Sequence, residues 1–174
     1  FYTIPGPGEF GHETWEGDSW TRGGGPLWTH GAIDPELGML YVPIGNPFPV
    51  TNGSTRGGDN LFTVSVLALD LKTGVRRWHF QEVHHDIWDY DTPMAPNLMD
   101  VTIDGKPRKV LMQAPKNGFF FVVDRETGEF ISAEPFTEVT WASHVGPDGR
   151  PVGLPDGPAR SEALAQSPRN IHIT

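Results

Sequence analysis

Two aspartates lie two positions apart in a run rich in aromatic residues: Trp88, Asp89, Tyr90 and Asp91. If this run is extended, Asp89 and Asp91 point to the same face, because side chains alternate along a strand. Adjacent carboxylates repel, and burying either one without compensation is costly. A cation between them, or a proton on one of them, would remove the conflict. The spacing therefore indicates a candidate metal or acid–base site, with a solvated surface turn as the alternative.

Three further positions could take part in such a site. Asn46 precedes Pro47 at the end of an apolar strand, and its amide oxygen suits a hard cation such as calcium, although Asn-Pro is also a common turn signal. Trp28 follows three consecutive glycines, residues 23–25, and could stack on a flat ligand or pack in the core. Lys116 stands at the entrance of a Phe-rich strand, where a lysine is usually only solvated.

Composition excludes several classes of function. The net charge of −9 argues against a nucleic-acid partner or an anionic membrane surface, both of which need clustered Lys and Arg. Without cysteines, this stretch has no disulfide, thiolate nucleophile or Cys-based zinc site. No segment approaches 18 apolar residues, so no membrane span is expected. The histidines lack zinc-binding spacing, and no GxSxG, P-loop or GxGxxG motif is present.

The elements that would position these residues are short strands. Glycine (21) and proline (17) together exceed a fifth of the 174 residues, which favours strands joined by turns. Residues 31–33 are predicted to form a hairpin with residues 39–44. Further strands are predicted at residues 62–69, 75–80, 109–114, 119–123 and 129–133.

A repeat indicates how the strands are arranged. Asp70-x-x-Thr73-Gly74 recurs 54 residues later as Asp124-x-x-Thr127-Gly128, each time after an apolar strand. Such repetition is typical of β-propellers, although isolated hairpins also use this turn. We therefore predict an all-β partial propeller of three to four blades over residues 1–145. Residues 146–174 are predicted to be a Pro/Gly-rich loop or tail with a helix-prone patch at residues 161–166.

Several motifs occur together and in order, and through them the chain resembles the PQQ-dependent (quinoprotein) alcohol dehydrogenases, close to the methanol and ethanol dehydrogenases. The motifs are Gly11-His12-Glu13-Thr14-Trp15, Gly17-Asp18-Ser19-Trp20, the glycines 23–25 with Trp28, residues 41–47, Gly58-Asp59-Asn60, Trp88-Asp89-Tyr90 and Lys116-Asn117-Gly118. The segment from Ala68 to Trp78 also looks like that family's tryptophan-docking motif.

The resemblance implies an eight-bladed propeller with PQQ and one metal ion at its axis. In that arrangement Trp28 would be the stacking floor under PQQ, and Asn46 would be a metal ligand. Asp89 would be both a metal ligand and the general base that takes the proton of a primary alcohol. Lys116 would bond the quinone oxygens, and electrons would leave to a cytochrome c-type acceptor. A periplasmic location is expected on the same grounds.

The identity of the metal depends on Asp91. Lanthanide-dependent relatives carry an Asp two places after the catalytic one, whereas calcium methanol dehydrogenases carry a small residue, so Asp91 favours a lanthanide slightly over calcium. Quinoprotein sugar dehydrogenases also show a W-D-x-D pattern and stay an alternative, as does a non-catalytic scaffold of PQQ-like repeats. The family's Glu ligand, cysteine pair and remaining blades would lie outside this chain, so we expect a fragment that is inactive alone.

Overall fold

The computed structural model describes residues 1–153, which form ten β-strands and three single-turn 3₁₀ helices. No α-helix is present in this range, and none of its segments forms a helix long and apolar enough to cross a membrane. The strands are β1 (Ala32–Asp34), β2 (Met39–Ile44), β3 (Ser65–Asp70), β4 (Arg76–Gln81), β5 (Asn97–Ile103), β6 (Lys106–Gln113), β7 (Phe119–Asp124), β8 (Phe130–Pro135), β9 (Ala142–Val145) and β10 (Pro151–Gly153).

The strands form two four-stranded antiparallel sheets, β1-β2-β3-β4 and β5-β6-β7-β8, in which each strand pairs with its neighbours in sequence. Such a four-stranded meander is the unit of a propeller blade, so the predicted all-β partial propeller is confirmed. The number of blades is smaller than predicted. Residues 1–153 hold two complete sheets and the two-stranded sheet β9–β10, because residues 1–31 form no strand and residues 45–64 are an insertion between β2 and β3.

Strands β5, β9 and β10 were not predicted, and the start of β3 was misplaced. Strand β5 was missed because polar residues interrupt its apolar positions and because it is an edge strand with no buried residue. Strand β3 begins at Ser65 rather than Phe62, since residues 61–64 form a turn in which Val64 has a φ of 47°. The hairpin between β1 and β2 is confirmed, with Ala32 opposite Tyr41.

The repeated turns are built as the sequence predicts. Asp70 Oδ1 accepts the backbone N–H groups of Lys72 and Thr73, and Asp124 Oδ1 accepts those of Glu126 and Thr127. The glycine that closes each turn has positive φ, 69° at Gly74 and 79° at Gly128, a conformation that costs other residues strain.

The two sheets dock through the second turn. Trp78 of β4 donates its indole N–H to Arg125 O at 3.2 Å, and the Tyr41 hydroxyl donates to the same oxygen at 2.7 Å. The Trp78 ring covers Gly128, where an added Cβ would lie 2.8 Å from it. Arg125 in turn donates to buried Asp34 of β1 at 2.7 Å. This geometry confirms the interpretation of the repeat as a tryptophan-docking motif.

The start of the expected tail is ordered as a strand. β10 pairs with β9 across the expected boundary at residue 145, and Arg150 forms a two-point ion pair with Asp59 at 2.8 and 2.6 Å. Residues 146–153 therefore form a turn and a strand that pairs with β9, and not a loose tail. A Pro/Gly-rich composition also suits a tight hairpin. The helix-prone patch at residues 161–166 lies outside the described residues.

Candidate active site

Three connecting segments that follow β2, β4 and β6 carry four of the five predicted site residues, and Trp28 precedes β1. In an antiparallel meander alternate strands run in the same direction. The C-terminal ends of β2 and β4 therefore lie at the same end of the first sheet. Asn46 follows β2, Asp89 and Asp91 follow β4, and Lys116 lies between β6 and β7 of the second sheet. The docked sheets bring these segments together.

The segment of the two aspartates is not an extended strand. Asp89 has a φ of 64°, in the left-handed region that non-glycine residues rarely adopt. The aromatic neighbours still anchor the segment, since Trp88 and Tyr90 stack on each other at 5.6 Å and both pack against Trp141 at 5.3 Å. The premise of an extended backbone is therefore wrong, and ring contacts hold the segment in its bent conformation.

The charged groups form one cluster around the Lys116 ammonium. Its Nζ lies 2.8 Å from Asp91 Oδ1 and 3.3 Å from Asp89 Oδ2. The Asn46 amide donates from Nδ2 to Asp89 Oδ1 at 2.5 Å. Thus the structure brings together four of the five predicted site residues, from three separate connections, with a positive charge between the two carboxylates.

Burial distinguishes the two carboxylates. The Asp89 side chain is half exposed, at 51%, whereas that of Asp91 is buried, at 9%. Burial raises the pKa of the Asp91 carboxyl, and the Lys116 ammonium opposes this rise only in part. Burial lowers the pKa of Lys116, but its pairing with Asp91 and Asp89 outweighs burial and leaves this pKa raised. Asp89 is the carboxylate that a substrate could reach.

Trp28 is placed beside Asn46 by the glycine-rich loop. The Gly25 N–H donates to Asn46 O, and the Gly45 N–H donates to Pro26 O, both at 2.9 Å. A Cβ added at Gly45 would lie 2.9 Å from Trp28 Nε1, so this glycine permits the close approach. Trp28 is 58% exposed, and this excludes the alternative that it is a core residue. An exposed indole at this position could stack on a flat ligand.

The donor set fits a hard cation. Asn46, Asp89 and Asp91 offer only oxygen and amide groups, which suit calcium and similar ions, and the Lys116 ammonium shows that positive charge is accommodated between the carboxylates. Rotation of the Asn46 amide would present its oxygen in place of Nδ2. Within residues 1–153 no group of three or more His, Cys, Asp or Glu is arranged to hold a metal. An ion bound here would need further ligands from elsewhere.

Sequence reasoning missed a buried polar layer beneath the aspartates. Asp86 and Glu82 are fully buried, and burial raises the pKa of Asp86 to about 7 and that of Glu82 to about 8. The Thr92 hydroxyl donates to Glu82 Oε2 at 2.6 Å. Arg56 is also fully buried, and burial lowers its pKa to about 10. One signal was available, because Asp often bonds the backbone N–H two positions on, as Asp86 does with Trp88.

Trp141 was missed as well. Its indole N–H donates to Asn117 O at 2.8 Å, while its ring packs on Trp88 and Tyr90. One side chain thus contacts both the segment of Asp89 and the turn of Lys116. No local pattern could have revealed this, since the contacts span more than twenty residues of sequence.

Fold and site together define a segment of a β-propeller in which two carboxylates, an amide and an ammonium cluster near an exposed indole. The sequence matches, over residues 1–143, the family described as PQQ: Glucose/ethanol/alcohol dehydrogenase, beta-propeller domain. The chain belongs to this family.

Relatives and solved structures agree with this assignment. The chain is 45% identical to Quinohemoprotein alcohol dehydrogenase ADH IIB of Pseudomonas putida, over 97% of this chain and 26% of the relative. The crystal structure of the quinohemoprotein alcohol dehydrogenase from Comamonas testosteroni superposes with a TM-score of 0.79 at 46% identity, covering 83% of this chain and 22% of that one. The structure of a europium-containing methanol dehydrogenase superposes with a TM-score of 0.80 at 39% sequence identity. The match covers 88% of this chain and 27% of that one. The chain thus spans about a quarter of the length of these proteins.

Proposed function

We propose that this chain supplies part of the active site of a PQQ-dependent dehydrogenase that oxidises a primary alcohol to an aldehyde. The observation that carries the proposal is the convergence of Asn46, Asp89 and Lys116, from three separate connections, beside the exposed ring of Trp28. A scaffold protein built from the same repeats would need the docking Trp78 but has no use for this cluster. The names of the relatives, which are alcohol dehydrogenases, support the same reading.

The family resemblance implies a role for each residue, and the observed positions are compatible with these roles. Trp28 would form the floor on which the flat ring of PQQ stacks. Asn46, Asp89 and Asp91 would hold the metal ion through oxygen atoms. When bound, PQQ supplies a hydride acceptor and the ion acts as a Lewis acid on its carbonyl. The exposed carboxylate of Asp89 would accept the hydroxyl proton of the alcohol. Lys116 would donate to oxygens of the cofactor and stabilise negative charge there.

The second carboxylate favours a lanthanide over calcium. Asp91 is buried and lies on the same ammonium as Asp89, so it adds one anionic oxygen donor to the cluster. A trivalent ion gains more from that extra charge than a divalent ion does. One structural neighbour is described as containing europium, and this supports the choice. Calcium is the second candidate, because all of these ligands also suit it.

We further infer a cytochrome c-type electron acceptor and a periplasmic location. The term quinohemoprotein in the names of two relatives supports a haem acceptor for their electrons. The location follows from the family resemblance alone, and a fusion of the full-length protein to a compartment reporter tests it.

Reconstitution tests the proposal directly. A full-length protein that carries this segment is loaded with PQQ and either lanthanum or calcium, then assayed with methanol, ethanol and glucose. We expect oxidation of an alcohol that depends on both additions. The Asp89→Asn variant should still bind PQQ, as seen in the cofactor's absorbance, but should lose turnover. Glucose oxidation without alcohol oxidation would instead support a sugar dehydrogenase, and turnover by the variant would exclude Asp89 as the base.

A further inference from the structure

The backbone of Asp89 has an unusual conformation that some other group must hold in place. Its φ of 64° lies in the left-handed region, which is unfavourable for residues with a Cβ. Such residues persist only where the surrounding structure enforces them. This backbone conformation orients the Asp89 carboxylate, which contacts both Asn46 and Lys116.

The carboxylate of Asp86 bonds the backbone on both sides of Asp89. Its Oδ1 accepts the Trp88 N–H at 3.0 Å, and its Oδ2 accepts the Tyr90 N–H at 3.1 Å. The two oxygens of one side chain therefore fix the two amides that flank Asp89. Asp86 is fully buried, so water does not compete for these bonds.

Asp86 is itself fixed by a buried arginine. Arg56 Nη2 donates to the backbone oxygen of Asp86 at 2.5 Å, and Nη1 donates to Asn60 Oδ1 at 2.7 Å. The same guanidinium also donates to the backbone oxygens of Pro49 and Val50. Neither Arg56 nor Asp86 is exposed to solvent. The support under Asp89 is thus a continuous hydrogen-bonded chain within the protein interior.

We propose that Asp86 is a positioning residue, which fixes the backbone of Asp89 so that its carboxylate faces Asn46 and Lys116 before any cation binds. This inference rests on the proposed function, because it assigns Asp86 a role toward the metal that Asp89 would hold. A residue that served only to cap this turn would affect stability without affecting the affinity for a metal.

The variant Asp86→Asn tests this role with little change in size. Its amide keeps one oxygen acceptor, but its NH₂ group would face a backbone N–H, so only one of the two bonds can form. The probe is terbium, titrated into the full-length protein with PQQ and followed by luminescence. We expect the Kd for terbium to rise about 10- to 100-fold, as is typical when a partner behind a metal ligand is removed.

The matched control is Asp124→Asn. Asp124 is also a buried carboxylate that accepts two backbone N–H groups, from Glu126 and Thr127, both at Oδ1. Its Oδ2 pairs with Arg108 at 3.3 Å, so the amide variant loses this ion pair in the turn between β7 and β8. We expect Asp124→Asn to lower the midpoint of thermal unfolding while its Kd for terbium stays within about twofold of wild type. A wild-type Kd in Asp86→Asn overturns the proposal.

Hydrogen exchange of the wild-type protein decides the matter if Asp86→Asn does not fold. We expect the amides of Trp88 and Tyr90 to be protected in the metal-free protein already. Rapid exchange there, with protection only after terbium is added, would overturn the proposal. If the wild type shows both terbium binding and protection but oxidises no alcohol, the proposed function fails and the positioning role stands. If alcohol is oxidised while Asp86→Asn keeps its terbium affinity, only the positioning role fails.

Discussion

Asp89 and Asp91 lie in different environments although they share the Lys116 ammonium. Asp89 is half exposed and bonds Asn46, whereas Asp91 is buried and reaches Lys116 at 2.8 Å. The exposed carboxylate can meet a substrate, while the buried one can only add charge to whatever lies between them. On this basis we propose that Asp89 serves proton transfer and that Asp91 sets ion selectivity.

The variant Asp91→Ala tests ion selectivity. We expect it to abolish activity supported by lanthanum while sparing activity supported by calcium, because the trivalent ion depends more on the second carboxylate. Full-length variant and wild type are loaded with PQQ and each ion in turn, and alcohol oxidation is measured. Asp89→Ala is the control, since it should lose activity with both ions. Equal loss with both ions in Asp91→Ala would contradict the assignment of a lanthanide.

Glu82 is expected to make stability depend on pH. Burial raises the pKa of Glu82 to about 8 in the folded protein, against an ordinary value of 4.5. Between about pH 4.5 and pH 8, Glu82 is therefore protonated in the folded protein but ionised in the unfolded protein. Its stabilising contribution is complete below about pH 4.5 and is lost as the pH rises through about 8, by up to about 1.4 kcal/mol per pH unit.

Glu82→Gln should remove this dependence, because an amide does not titrate. Urea unfolding of the full-length wild type and variant at pH 5, 6.5 and 8 gives the difference in unfolding free energy. As the pH rises, we expect the unfolding free energy of the wild type to fall relative to that of the variant. Glu134→Gln, at an exposed position of β8, should show no such shift. A difference that stays constant with pH would show that Glu82 is ionised in the folded protein.

Between elements, Trp141 connects the two segments that carry the charged cluster. It packs on Trp88 and Tyr90 and donates its indole N–H to the backbone beside Lys116. Its position just before β9 means that the small two-stranded sheet contributes to the geometry of the site. Residues next to all three sheets therefore hold the site in place, although the predicted site residues lie beside only the two four-stranded sheets.

Trp141→Phe isolates the hydrogen bond from the ring packing. Phenylalanine keeps an aromatic ring against Trp88 but leaves Asn117 O without its donor, which should cost about 1 kcal/mol of stability. We expect kcat/KM for the alcohol to fall about 10-fold, because the turn of Lys116 loses its fixed position.

The control is Trp15→Phe. Buried Trp15 also donates its indole N–H to a backbone oxygen, that of Leu61 at 2.5 Å, but it contacts none of the predicted site residues in any hydrogen bond or ring pair described above. It should lose similar stability while kcat/KM stays near wild type. Equal effects of both variants on kcat/KM would show that Trp141 acts only through overall stability.

The sequence was sufficient to predict which residues lie together but not which residues support them. Asn46, Asp89, Asp91 and Lys116 could be selected together because the resemblance to the quinoprotein alcohol dehydrogenases implied roles for them at one site. The strand-like spacing of the two aspartates suggested an extended backbone, whereas Asp89 adopts positive φ under the control of Asp86. Arg56 and Trp141 were not predictable, since their roles depend on tertiary contacts that no local periodicity encodes.

For the whole molecule, the turn at Gly128 is the point where one blade fits against the next. The Trp78 ring covers this glycine and its indole N–H reaches Arg125 O. The repeat in the sequence predicted this docking, whereas the count of blades was overestimated. The reason is physical: the long connections that carry the site residues lengthen each repeat beyond the minimum that four strands need.

Gly128→Ala should weaken docking. The methyl group would lie 2.8 Å from the Trp78 ring at a φ of 79°, so both strain and displacement of the ring destabilise the variant. Gly105→Ala is the control, because Gly105 has a φ of 75° but open space around it. By urea unfolding of the full-length protein, we expect Gly128→Ala to lose about 1–3 kcal/mol more than Gly105→Ala. Equal losses would show that contact with Trp78 contributes nothing.

The central claim is that one cation binds where Asn46, Asp89 and Asp91 converge. Anomalous diffraction from crystals of the full-length protein with PQQ and lanthanum locates the ion without assumptions about activity. We predict a single peak between these three side chains, with oxygen distances of about 2.3–2.6 Å and Lys116 displaced from between the carboxylates. A peak elsewhere, with Lys116 still bridging Asp89 and Asp91, would contradict the account.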